Sequence, residues 1–155
     1  MSFDRAALID ACQAQSRVAR VVVASVKGST PREVGAAMLV WANGQSGTIG
    51  GGTLEHACTL AARKALTSDA DNISHHALGP DMGQCCGGAL EVLTEIYDLH
   101  RAENLAKDVI IRGPGAEPLA VSRVRAQMRN GGTPPVARLV ADWMIEPVSH
   151  PTRSV

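Results

Sequence analysis

Apolar and polar positions alternate along this chain with two different periods, and the changes of period mark out its elements. Over residues 4–15, Leu8, Ala11 and Cys12 recur at helical spacing with Phe3 placed to pack at the start, which predicts a short amphipathic helix. The run Val18-Ala19-Arg20-Val21-Val22-Val23-Ala24-Ser25-Val26 is β-branched and apolar on both faces, the pattern of a central strand, and Gly28 is its expected end. Strand-like residues 37–41 and 46–49 flank Asn43-Gly44, a dipeptide that tolerates the positive φ of a tight turn, so a hairpin is expected. Over residues 53–66, Leu54, Ala57, Cys58, Ala61, Ala62 and Ala65 share one helical face opposite Glu55, Thr59 and Arg63, predicting a helix packed closely on a sheet. Residues 73–78 read as a strand, and 89–97 alternate as a half-exposed one. Beyond Asp98 the pattern weakens. A helix is expected over about 118–128 with Gly131-Gly132 beyond it, then a linker at Thr133-Pro134-Pro135 and a last apolar stretch over 136–148 that carries Trp143. The expected class is α/β (α+β), a mixed β-sheet with flanking helices in a single domain.

Charge and composition narrow the function classes. Lysine plus arginine equal aspartate plus glutamate at 15 each, so no net field draws the chain to nucleic acid or an anionic membrane. Only four aromatic residues (Phe3, Trp41, Tyr97, Trp143) argue against a base-stacking surface. No apolar run approaches the roughly 20 residues of a membrane span, and the first residues lack a secretory layout, so no membrane partner and a cytoplasmic location are expected. The cysteines are expected as free thiols, with Cys12 and Cys58 as small core residues.

Three segments at strand ends carry residues suited to ligands. Ile49-Gly50-Gly51-Gly52-Thr53-Leu54-Glu55 passes from a strand through three glycines into a helix. Its backbone amides could meet an anion, or the segment could be a tight turn with Thr53 as cap. Gly28-Ser29-Thr30-Pro31-Arg32-Glu33 offers a forked guanidinium for carboxylate or phosphate, or an ordinary surface ion pair with Glu33 or Glu55. Gln84-Cys85-Cys86-Gly87-Gly88 presents adjacent thiols, soft metal ligands and sulfur nucleophiles, at a spacing unlike that of a structural zinc site.

These stretches also resemble a known family. Lys27-Gly28-Ser29-Thr30-Pro31-Arg32-Glu33-Val34-Gly35-Ala36, then Gly47-Thr48-Ile49-Gly50-Gly51-Gly52, then Leu78-Gly79-Pro80-Asp81-Met82-Gly83-Gln84-Cys85-Cys86-Gly87-Gly88 are similar, in order and spacing, to the N-terminal domain of XdhC/CoxI proteins, xanthine dehydrogenase accessory proteins. The likeness is strong over 18–97 and weaker as far as Asp142-Trp143-Met144-Ile145-Glu146-Pro147-Val148. It implies an accessory chaperone rather than an enzyme. Such a chaperone binds molybdenum cofactor (molybdopterin) transiently, assists its sulfuration with a cysteine desulfurase, and passes it to an apo xanthine dehydrogenase-type hydroxylase. A homodimer is expected. The resemblance implies an XdhC/CoxI-type domain over 1–105, with 106–155 as helix, linker and terminal strand leading toward a Rossmann domain that the sequence does not include. On this reading the amides of Gly50, Gly51 and Gly52 with Thr53 hold the phosphate and Arg32 adds a forked contact. Ser29, Thr30, Glu55 and Gln84 complete the cofactor surface. Cys86, with Cys85 second, approaches molybdenum or carries sulfur as a persulfide. Two alternatives stand beside it: a non-catalytic dimerisation or docking module for a Rossmann-bearing partner, with Trp143, Met144 and Ile145 as its interface, and a thiol-dependent sulfur transferase.

Overall fold

A computed structural model describes residues 2–28, 33–77, 88–131 and 136–149. The chain opens with α1 (Arg5–Gln15), where the Asp4 carboxylate accepts from the Ala7 amide at 3.0 Å and so caps the first turn. Phe3, Leu8 and Cys12 are buried as their spacing predicts. Next come β1 (Arg17–Lys27), β2 (Ala37–Trp41), β3 (Gly44–Gly47), α2 (Gly52–Ser68), β4 (Asn72–Ala77) and β5 (Ala89–Asp98). These strands form one sheet of order β3-β2-β1-β5-β4, with the Val-rich β1 at its centre.

The α+β class is as expected, but the sheet is antiparallel throughout rather than mixed. The reason is connectivity. A parallel pair needs a long crossover between neighbours, and α2, which could serve as one, joins β3 to β4 at opposite edges. The hairpin also forms one step early: Trp41 pairs with Gly44, leaving Ala42 and Asn43 as the loop, and neither Asn43 nor Gly44 has positive φ. Gly44 is needed for space instead, since a Cβ there would lie 2.6 Å from Nε1 of Trp41.

On one face of the sheet α2 packs Leu54, Cys58, Ala62 and Leu66 against Val21, Val23, Val92 and Ile96. The buried stripe differs from the expected one. Ala61 is exposed and Thr59 is buried, because the Thr59 hydroxyl donates back to the Glu55 carbonyl at 2.8 Å and so turns inward satisfied.

The opposite face is covered by α1 and by elements the pattern left faint: α3 (Leu99–Glu103), β6 (Val109–Arg112), β7 (Arg138–Val140) and β8 (Trp143–Pro147), with α4 (Leu119–Arg129) between β6 and β7 in the chain. The last three strands make a second antiparallel sheet of order β6-β8-β7. Its Met144, with Ala137, packs on Val22, Ala24 and Leu93. This second layer makes β5 almost wholly buried rather than half-exposed. It also buries Met144 and Ile145, at 1% and 0% exposure, and the Trp143 indole donates to the Pro114 carbonyl at 3.1 Å. Of the three residues expected to form a docking surface, Met144 and Ile145 are therefore spent inside the molecule, while Trp143 is half-buried. Phe3 closes the layer by bridging to Val148, its amide donating to the Pro147 carbonyl at 2.7 Å.

Candidate functional site

Strand direction decides where the three motif segments begin. In an antiparallel sheet the end of β1, the start of β2, the end of β3, the end of β4 and the start of β5 all fall at one end. The register shows it directly: Lys27 lies opposite Ala89, Ala89 opposite Ala77, and Gly47 opposite Met38. All three segments thus leave the sheet from the same end. Of their candidate residues, Ser29, Thr30, Arg32, Gln84, Cys85 and Cys86 lie outside the described residues. Gly50, Gly51, Gly52, Thr53 and Glu55 are described.

The glycine turn has its own anion. Oε1 of Glu55 accepts from the Ile49 amide at 2.9 Å, from the Gly51 amide at 3.1 Å and from the Thr48 hydroxyl, while Oε2 faces Gln45 Nε2 at 3.4 Å. The Gly50 amide donates to the Thr48 hydroxyl at 3.1 Å. Burial acts to raise the Glu55 carboxyl, but these hydrogen bonds outweigh it and hold it below the ordinary carboxylate range. The expectation that the Gly50 and Gly51 amides face an outside phosphate is corrected accordingly: both donors are turned to acceptors of the chain. Thr53 is not the cap either. Gly51 takes that position, with φ 75°, and no side chain caps the helix. The amides of Gly52 and Thr53 lie in the first turn, where the helix offers no carbonyl to receive them. A Cβ at Gly51 would meet nothing within 4 Å, so that side of the turn is open to approach.

Cys12 and Cys58 are free and buried, as expected. Burial, aided by the nearby Glu55 charge, pushes the Cys58 thiol up to about 11, and its Sγ lies 3.9 Å from Nε2 of His76. Burial, and then neighbouring His75, lowers the pKa of His76, so this pair is a neutral one at physiological pH. Among the described residues no group of three or more His, Cys, Asp or Glu side chains is placed to hold a metal. Within the same limits, no helix is long and apolar enough to cross a membrane.

The sequence reading missed an alternating chain of charges between the two sheets. Arg20 forks onto Glu146 at 2.8 and 2.7 Å, and Arg112 reaches Glu146 at 2.5 Å while forking onto Glu95 at 2.9 and 2.7 Å. Arg101 lies 3.7 Å from Glu95 and forks onto Asp71 at 3.1 and 2.8 Å. Arg20, Glu95 and Glu146 are each at most 2% exposed, and the Arg20 guanidinium stacks 3.7 Å from the Phe3 ring centroid. Burial alone would raise the Glu146 carboxyl, yet Arg20 and Arg112 prevail and keep it below the usual range. The one trace of this chain in the sequence is the charge that interrupts apolar strands, Arg20 within β1 and Glu146 within β8. The outer members line a cleft of about 540 Å³ between the sheets, floored by Ile73, Leu93 and Met144.

Comparison with known proteins bears on the motif-bearing half. The fold is similar to the crystal structure of a xanthine dehydrogenase from Bacillus halodurans, with a TM-score of 0.58 and 20% identity over 92% of this chain and 40% of that one. At that identity the likeness is one of fold, and the chain spans about two fifths of that protein's length. A search of curated proteins gives no match. Residues 11–76 match the model of the XdhC and CoxI family. The matched segment runs from within α1 through β4.

Proposed function

We propose that the chain serves xanthine dehydrogenase-type molybdenum hydroxylases as an accessory protein that binds molybdenum cofactor transiently and passes it on. The observation that carries this reading is the family match over 11–76, joined to motif segments rooted at one end of the sheet. Bound, the cofactor supplies the molybdenum oxo centre at which a sulfido ligand is exchanged in. The protein's task is to hold and shield. Cys86 and Cys85 are the soft donors for that centre or for a sulfur delivered by a cysteine desulfurase. Ser29, Thr30, Arg32 and Gln84 supply polar contacts, and the helix start at Gly52 and Thr53 faces anionic oxygens. Glu55 serves differently from the expected ligand role: its carboxylate anchors the glycine turn. A homodimer and the division into a 1–105 domain with an appended 106–155 segment belong to the same proposal.

Cofactor co-elution through a desalting column tests the reading. The intact chain should retain cofactor in stoichiometric amount, and a Cys85→Ala/Cys86→Ala variant should lose most of it. Retention undiminished in that variant removes the thiols from binding, and no retention by the unaltered chain rejects the carrier role.

A further inference from the structure

The cleft between the two sheets carries a pattern of groups that the motif segments do not account for. Its lining holds four carboxylates (Asp71, Glu91, Glu95, Asp142) against two guanidiniums (Arg101, Arg112), so the carboxylates outnumber the guanidiniums by two. A free phosphate or other compact anion is disfavoured there. The arginines are nevertheless present as fixed, planar donors, each clamped by a two-pronged carboxylate: Arg101 by Asp71, Arg112 by Glu95. Among the described residues Asp142 has no such partner, and Glu91 is engaged only by Ser25 at 2.7 Å and His75 at 3.3 Å. Beneath them the floor is apolar.

We propose that this cleft binds the face and edge of a planar amino-oxo heterocycle, the pterin end of the cofactor rather than its phosphate. The inference rests on the carrier reading above. An apolar floor suits a flat ring, and a carboxylate accepts two adjacent N–H donors of an aminopyrimidine edge as it accepts a guanidinium. Asp142 and Glu91 are the acceptors for that edge, and the clamped arginines face the ring's oxo oxygen. A simple cation would leave the arginines opposed to it, and a simple anion would meet the surplus carboxylates, so a mixed donor and acceptor edge matches the cleft best.

The test uses free pterin, followed by its own fluorescence, and lumazine, in which an oxo group replaces the exocyclic amine. The intact chain should bind pterin at least tenfold more tightly than lumazine. Asp142→Asn, which keeps a residue tolerant of the same positive φ, should weaken pterin binding about tenfold, and Asp142→Asn/Glu91→Gln should abolish the preference. Equal binding of the two rings, no pterin binding at millimolar concentration, or unaltered binding in the double variant overturns the proposal. The carrier reading is separable, because the desalting assay on the double variant reports intact cofactor: full retention there leaves the carrier standing while the cleft assignment falls.

Discussion

Two buried groups show how differently polar atoms behave in this interior. Glu146 is fully buried yet holds two arginines, so Glu146→Ala leaves Arg20 and Arg112 facing each other without their shared anion. Breaking a buried ion pair of this kind costs about 3–5 kcal/mol, and urea denaturation should show a loss of that size. The Tyr97 hydroxyl is buried without a partner among the described residues. Tyr97→Phe removes an unmet group and should leave stability unchanged or higher by up to about 1 kcal/mol, measured the same way. Glu55 adds a pH dependence. Its folded carboxyl titrates below the ordinary range, so its contribution is present above the unfolded value and is lost as pH falls through the folded one. Glu55→Gln should therefore cost roughly 1 kcal/mol near neutral pH, with the gap to the unaltered chain closing in acid. A gap that widened in acid would reverse the assignment.

Among the described elements, the hairpin from β7 to β8 sets two consecutive non-glycine residues at positive φ. Its two-residue loop sets Ala141 at φ 49° and Asp142 at φ 67°, and Val140 pairs with Trp143 across it. A turn with both central residues at positive φ favours asparagine or glycine, whereas alanine there is crowded by its Cβ. Ala141→Asn should raise stability by roughly 0.5–1 kcal/mol, read as a higher thermal midpoint. The turn evaded the sequence reading because Ala-Asp carries no turn signal. The Asn43-Gly44 signal did mark a hairpin, but the steric demand of the Trp41 indole on Gly44 placed the loop one residue earlier.

The molecule as a whole is tied across residue 105 by charge and by packing. Arg20 and Glu95 of the first sheet meet Glu146 and Arg112 of the second, and Val22, Ala24 and Leu93 are covered by Ala137 and Met144. A fragment ending at residue 105 would expose that apolar face together with Arg20, which has lost its counterion, and Glu95, which keeps only Arg101 at 3.7 Å. It should aggregate or bind hydrophobic dyes, whereas the full chain should elute compactly in size-exclusion chromatography. A well-folded, monodisperse 1–105 fragment would show the second sheet to be dispensable. Native alkylation gives a second check at this scale: Cys12 and Cys58, both buried with thiols pushed up to about 11, should resist iodoacetamide at mild pH and react on unfolding, as read by peptide mass spectrometry.

What the sequence alone determined was local: α1 from the spacing of Leu8 and Cys12, the centrality of β1 from its Val-rich run, α2 from its alanine-rich face, and the motif segments from their glycines and thiols. Each rests on a period or a backbone demand that neighbours along the chain impose. Only the tertiary structure decided that Glu55 fills the glycine turn, that Arg20 and Glu146, 126 positions apart, share a bond, and that a second sheet buries β5 on both faces. Such pairings depend on which distant segment covers a face, and a carboxylate reads the same in sequence whether it meets water, a backbone amide or an arginine.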